Sequence, residues 1–150
     1  MKKFTFLMCA ILAGLLKVNA QEPQFVSKEP QNRNVLIEMF TGRGESYSPG
    51  AHIITNKLMK EFPDKVLSIN IHNTSIFSPT SYPNLNTAAG DDMFEGFKLT
   101  IIPSGPVNRS LSDMYYSNWE NLSCEQMTQQ AECNIGGKVT IDSISRIATI

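Results

Sequence analysis

Residues 34–50 read Asn-Val-Leu-Ile-Glu-Met-Phe-Thr-Gly-Arg-Gly-Glu-Ser-Tyr-Ser-Pro-Gly, which predicts a strand, a glycine-bearing loop and the start of a helix. Residues 35–37 are a short apolar run between polar neighbours, typical of a central strand covered on both faces. Ser48 is predicted to be the N-cap of the helix, because its hydroxyl suits that role and a proline follows at the first helical position. A second apolar run at residues 65–71 completes a strand–helix–strand unit, which implies a parallel pair of strands.

The composition is that of an ordinary globular protein. The 150 residues suffice for one domain with its own core, and 41% hydrophobic against 18% charged residues excludes a disordered or collagen-like chain. The formal net charge of −1 argues against a nucleic-acid partner, which would require a basic face.

Residues 1–20 are typical of a secretory signal peptide. Lys2 and Lys3 form the positive start, residues 4–16 form an apolar core too short to span a bilayer comfortably, and Ala20 completes a small-x-small cleavage pattern. We therefore expect an exported protein of a bacterial envelope, in the periplasm or at the outer membrane or cell surface. Its membrane association would run through the envelope rather than through a transmembrane helix.

The remaining residues are expected to hold one domain and the beginning of another. Residues 21–33 are polar and predict a tether, and residues 34–132 form the domain, with a long polar loop at 73–90. Residues 133–150 alternate in a β-type pattern that requires partner strands. They indicate either the start of a truncated, β-rich, sandwich-like domain, which we favour, or strands that pack back on the first domain.

Two further helices are predicted in the second half of the domain. One covers residues 91–99, with Asp91 and Asp92 capping its start. The other extends to about Glu132, and residues 117–120 form a capping box at its beginning.

Three stretches carry a family resemblance: Asn-Val-Leu-Ile-Glu-Met-Phe-Thr-Gly at 34–42, Val-Leu-Ser-Ile-Asn-Ile-His at 66–72 and Ile-Pro-Ser-Gly-Pro-Val-Asn-Arg at 102–109. Together they resemble the outer membrane protein 28 (Omp)-related family of Bacteroidetes, over the chain from residue 33 onward. The resemblance implies an α/β fold of the thioredoxin-like type, a mixed sheet flanked by helices, followed by a β-rich region. Many relatives carry cysteines where this chain has Glu45 and Ser48.

The replaced cysteines bear directly on chemistry. A dithiol enzyme needs a thiolate at the helix N-terminus to attack a disulfide and a second thiol to resolve the intermediate. Glu45 and Ser48 can do neither, so redox activity at this loop is not expected. Two interpretations of the pair stay open: a contact for an anionic ligand or peptide at the helix N-terminus, or a helix cap in which Ser48 is the N-cap and Glu45 lies near the positive end.

The resemblance also implies a binding groove. It implies that the Ile102–Pro103 bond is cis, as only an X–Pro bond readily allows, and that Pro103 faces the loop. The candidate binding residues are then Glu45, Ser46, Tyr47, Ser48 and Pro103, next to the loop at 73–90. An extended peptide or envelope protein that pairs in a strand-like manner is the expected partner.

Other polar residues give weaker signals. Glu38 is expected to have a structural role, either paired or at the sheet edge. His52 and His72 lack metal-ligand spacing, so we expect no metal and no cofactor. Cys124 and Cys133 invite a disulfide in an oxidising compartment. A continuous helix would hold their Cα atoms about 13 Å apart, so the bond requires the helix to break before Cys133.

Three functional hypotheses follow. The first is a non-enzymatic envelope protein that uses a redox-dead thioredoxin-like domain as a binding or structural scaffold. The alternative is an envelope thiol–disulfide oxidoreductase or isomerase with Cys124 or Cys133 as a lone nucleophile. The third is a purely architectural surface component. Serine hydrolase chemistry fits poorly, because Ser48 lacks a nucleophile elbow.

Overall fold

The computed structural model describes residues 26–74, 83–137, 139–146 and 148–149. The chain divides into two compact units, one of residues Pro30–Cys133 and one that combines Met1–Glu29 with Asn134–Ile150. The predicted leader, residues 1–20, lies outside the described residues. So do residues 75–82 of the predicted loop.

The helices and strands of the larger unit alternate along the chain. In order they are strand β1 (Val35–Phe40), helix α1 (Ser48–Glu61), strand β2 (Val66–Ile71), helix α2 (Ala88–Gly96), a 3-10 turn (Tyr116–Asn118) and helix α3 (Trp119–Thr128). The first three match the predicted strand–helix–strand unit to within one or two residues.

β1 lies at the centre of a mixed sheet. It is parallel to β2, with a register that runs from Val35 opposite Val66 to Phe40 opposite Ile71. On its other side, residues 104–107 run antiparallel to it through bridges at Ile37–Val107 and Phe40–Ser104. The predicted α/β class and the parallel pair are therefore confirmed.

Alternation along β1 divides the core between the two faces of the sheet. Val35, Ile37 and Met39 pack on one face with residues of α1 and with Trp119 of α3. The Trp119 indole N–H donates to the Gly105 carbonyl at 2.9 Å, so this buried ring has its polar atom satisfied. On the other face, Phe40 makes edge contacts with Phe94 and Phe97, at centroid distances of 5.7 and 6.0 Å.

The starts of the helices differ from the predictions. α1 has Tyr47 as its N-cap, without a side-chain bond, so Ser48 is the first helical residue and the predicted cap is wrong. α2 is capped by Thr87, whose hydroxyl accepts the Gly90 N–H, and not by Asp91 and Asp92. The Asp91 carboxylate accepts instead from the backbone and hydroxyl of Thr74.

The last helix is shorter than predicted and lacks the capping box. Its N-cap, Asn118, makes no side-chain bond, and α3 ends at Thr128. Gln129 turns to an extended conformation there, because residues 31–33 pair with 129–131: the Gln129 carbonyl accepts from the Arg33 N–H at 2.9 Å. The structured part of the unit thus begins within the predicted tether.

The smaller unit holds a short antiparallel pair, β3 (Thr140–Ile141) and β4 (Ala148–Thr149). Asn134 also ties its two segments together, since its side-chain amide donates to the Ser27 and Glu29 carbonyls. A β-rich domain beginning here stays a prediction. Among the helices of the described ranges, none has the length and apolar character needed to cross a membrane.

Candidate functional site

The loop after β1 contains a closed hydrogen-bond network. Ser48 accepts a hydrogen bond from the Thr41 hydroxyl at 2.7 Å and donates one to Glu45 Oε2 at 3.2 Å. The same carboxylate oxygen accepts the Tyr47 N–H at 2.7 Å. Glu45 and Ser48 are only 7% and 6% exposed, so both face the protein interior.

This network bears on the two interpretations of the loop. The Glu45 carboxylate accepts a backbone N–H at the N-terminus of α1, which is where an external anion would bind. The chain therefore supplies its own anion at this position, which favours the structural interpretation. That interpretation is corrected in one respect: Glu45, and not Ser48, satisfies a backbone donor at the helix start.

Pro103 lies on the strand that flanks β1. The Ile102–Pro103 bond is cis, as predicted. Ser104, the next residue, exchanges backbone bonds with Phe40 at 2.8 and 3.3 Å, and Phe40 is the residue before Thr41. The Pro103 side chain is fully buried, however, and cannot form part of an exposed groove. Of the five candidate groove residues, only Ser46 and Tyr47 are exposed.

Tyr47, a predicted candidate, belongs to a partly exposed tyrosine cluster at the same loop, whose other two members were missed in the sequence. Tyr47 and Tyr115 are 62% and 39% exposed, and the rings of Tyr115 and Tyr116 lie 4.7 Å apart. Tyr116 lies against the start of α1, where a Cβ on Gly50 would come within 3.8 Å of its ring. We call Tyr47, Tyr115 and Tyr116 the tyrosine patch.

Electrostatics also link the tyrosine patch to the loop. Partial burial raises the pKa of the Tyr115 hydroxyl, and hydrogen bonding to Tyr116 acts in the same direction. Electrostatic interactions with Tyr116, Tyr47 and the Glu45 carboxylate disfavour the charged form of Tyr115 and raise this pKa further. Aromatic side chains that are partly exposed and partly anchored are enriched at protein-binding surfaces. The signal in the sequence was the adjacent pair Tyr115-Tyr116, but the pairing of Ser104 with Tyr115 that brings it to the loop could not be deduced.

Glu38 is paired, as one of the two predicted alternatives requires, and it lies in the central strand rather than at an edge. Its Oε1 accepts from the exposed Arg109 at 2.7 Å. Its Oε2 is buried and has no hydrogen-bond partner in the part of the chain that the structure describes. The Arg109 guanidinium also lies 5.4 Å from the centre of the Phe97 ring, a cation–π distance.

Cys124 and Cys133, the two cysteines among the described residues, are exposed and free. Cys124 lies within α3, and Cys133 follows the extended segment after its end. The helix does break before Cys133, as a disulfide would require, yet the thiols are not bonded, so the disulfide is not present in this structure. Within the described ranges, no three His, Cys, Asp or Glu side chains form a group suited to a metal.

The comparisons with known proteins identify no relative. A scan against protein-family models gives no match, and the searches of curated proteins and of solved structures give no significant match. The family resemblance noted in the sequence therefore stays a prediction.

Proposed function

We propose that this protein is a non-enzymatic, exported component of a bacterial cell envelope, associated with the outer membrane, in which a redox-dead thioredoxin-like domain serves as a binding or structural scaffold. The observation that carries the proposal is the network of Thr41, Ser48 and Glu45. In a thioredoxin-like domain this loop would carry the dithiol site, and here its polar groups bond to one another instead.

The topology of the larger unit supports the thioredoxin-like part of the proposal. In that fold a central strand leads into the active-site loop and a helix, with a parallel strand on one side and an antiparallel strand after a proline on the other. β1, α1, β2 and residues 104–107 have this order and these directions. Helices on both faces of the sheet fit as well.

The chemistry of the loop supports the redox-dead part. A carboxylate does not form a mixed disulfide, and a serine hydroxyl cannot resolve one. The Ser48 proton is directed to Glu45, so the hydroxyl is held in a structural bond. Scaffold function then depends on the surface around the loop, where the tyrosine patch is the most exposed aromatic feature.

The proposed partner is an extended peptide segment of an envelope protein. A suitable probe is reduced, carboxymethylated α-lactalbumin, whose chain stays unfolded and carries no reactive thiol. We expect fluorescence anisotropy to show binding to the exported chain, and Tyr47→Ala with Tyr115→Ala to weaken it by about tenfold, which corresponds to about 1.4 kcal/mol.

Ile53→Ala is the matched control, because Ile53 is also an exposed apolar residue but lies on α1. This variant should bind like the parent. Equal affinity of the parent and the double tyrosine variant, with both folded by circular dichroism, would remove the tyrosine patch as the binding surface.

The alternative function, an oxidoreductase or isomerase, is favoured by one observation: the Cys124 and Cys133 thiols are both free and exposed, so a disulfide substrate could reach them. The thiolate is the reactive form of a cysteine. Alkylation by iodoacetamide at neutral pH tests this: the scaffold predicts rates near that of glutathione at both thiols, and a much faster rate at Cys124 would favour the alternative.

Export is tested independently of binding. Expression of the full chain in a Bacteroidetes host, followed by fractionation and mass spectrometry, should give an envelope protein that begins at Gln21. Full-length protein in the cytoplasm would contradict the proposed location.

A further inference from the structure

Within the described residues, the outer edge of β2 has backbone groups without a backbone partner. On the β1 side, the Lys65 carbonyl accepts from the Val35 N–H at 2.7 Å and the Ile71 carbonyl accepts from the Thr41 N–H at 3.1 Å. Because the backbone groups of successive strand residues alternate in direction, those of residues 66, 68 and 70 point away from β1. The Val66 N–H is bonded to the Phe62 carbonyl, which leaves the N–H and C=O groups of Ser68 and Asn70 without a backbone partner among the described residues.

The side chains along this edge are apolar or uncharged. Leu67 and Ile69 are 58% and 39% exposed, on the same face of the sheet as the partly buried Leu36. No charged residue and no proline occurs within Val66–Ile71. Soluble proteins ordinarily protect an exposed edge with lysine, proline or a bulge, since unpaired strands invite another strand to add. β2 has none of these protections.

We propose that the β2 edge pairs antiparallel with the β2 edge of a second copy of this chain, which forms a symmetric dimer with a continuous sheet. A two-fold axis at Ile69 sets Ser68 opposite the partner subunit's Asn70. Asn70 then lies opposite the partner subunit's Ser68, so the contact contains two hydrogen-bonded residue pairs. In each pair the two residues exchange both N–H···O=C bonds, which satisfies all the outward groups of Ser68 and Asn70. The Val66 N–H, already bonded to Phe62, is not needed.

Two features select a second copy as the occupant. Pairing with both Ser68 and Asn70 requires a strand of at least three residues. Apart from β1, which is paired on both sides, the other strands in the described part of the chain, β3 and β4, have two residues each. Two copies of this edge also place no like charges opposite each other along the strand. With the axis at Ile69, Asp64 and Lys65 lie opposite the uncharged positions 74 and 73 of the partner. With the axis there, exposed Ile69 lies opposite the partner subunit's Ile69, and exposed Leu67 lies opposite the partner subunit's Ile71.

Sedimentation of the exported chain tests the proposal. We expect a concentration-dependent dimer over about 1 to 100 µM. Ser68→Pro removes one outward N–H and leaves the bonds to β1 intact, as proline is tolerated at edge positions of this kind. Ile69→Lys places two like charges at the axis. Each variant should raise the dimer dissociation constant by at least about tenfold, whereas Ile53→Lys, at an exposed apolar site on α1, should leave it unchanged.

The outcomes separate clearly. A parent that stays monomeric over this range overturns the proposal, as does a dimer that both variants leave intact. Ile69→Lys keeps the test valid if Ser68→Pro does not fold, because Ile69 is partly exposed and lysine there stays solvated. Peptide binding by the tyrosine patch is a separate property, so its failure does not affect this result.

Discussion

Replacing Ser48 with alanine should destabilise the larger unit through the loop network. The substitution removes the hydrogen bond from Thr41 at 2.7 Å and the bond to Glu45 at 3.2 Å. Thr41 is buried, so its hydroxyl loses an acceptor in a place that water does not readily reach. The N-terminus of α1 itself keeps its bond from Tyr47 to Glu45.

The magnitude follows from these contacts. A neutral buried hydrogen bond contributes about 1 kcal/mol, and one to a carboxylate contributes about 1.5 kcal/mol or more. Alanine recovers a few tenths through its higher helix propensity. We expect Ser48→Ala to lower the free energy of unfolding by about 2 kcal/mol. Ser46→Ala, at an exposed position of the same loop, should change it by less than about 0.5 kcal/mol.

Urea unfolding of four proteins separates the network from a helix cap. They are the parent, Ser48→Ala, Thr41→Val and the double variant. Because Thr41 acts through Ser48, the two changes should be non-additive, with a coupling energy of about 1 kcal/mol. Additive effects would refute the network, and a Ser48→Ala cost within error of Ser46→Ala would refute the burial argument as well.

Further predictions concern the sheet and the pH dependence of stability. Gly105→Ala should lower the free energy of unfolding by about 3 kcal/mol or more, because φ there is +151° and a Cβ would overlap the Glu38 carbonyl. In the control, Gly96→Ala, the added Cβ meets no atom within 4 Å, so this variant should be tolerated. Thermal melts of the two variants and the parent make the comparison. Arg109→Leu leaves the Glu38 carboxylate unpaired and should cost about 1–2 kcal/mol in urea unfolding, and a neutral result would mean that solvent replaces the pair. Burial lowers the pKa of His72, and repulsion from His52 acts in the same direction. The stability that neutral His72 contributes is therefore fully present above the unfolded pKa of about 6.5 and is lost as the pH falls through the folded pKa. His72→Gln should reduce the loss of stability between about pH 7.5 and 5, and an unchanged slope would assign that loss to other groups.

The sequence predicts the central elements because their signals are local. Apolar runs bounded by polar residues locate β1 and β2, and the proline at the start of α1 sets its beginning to within one residue. Ala51, Ile54 and Leu58 recur at helical spacing in the sequence, and in the structure Ala51 and Leu58 are buried and Ile54 packs against the same core.

The errors arise where residues outside a helix or strand compete for its hydrogen-bonding groups. Serine is a common N-cap residue, but the Ser48 hydroxyl bonds to Thr41 and Glu45 inside the protein instead of capping the helix. α3 stops at Thr128 because residues 31–33 pair with the segment after it, and no property of α3 alone predicts that. The tyrosine patch likewise depends on antiparallel pairing of Tyr115 with Ser104, a contact between segments that periodicity does not connect.

Insulin reduction in dithiothreitol tests most directly whether the loop is a dithiol site without its chemistry. The exported parent is compared with Glu45→Cys/Ser48→Cys and with Gly44→Cys/Tyr47→Cys, in which a pair of the same spacing is shifted by one residue. We predict background rates for the parent and the shifted pair, and a clear acceleration by the first double variant. Acceleration by the parent would contradict the absence of redox activity, and equal, background rates in all three would contradict the thioredoxin-like placement of the loop.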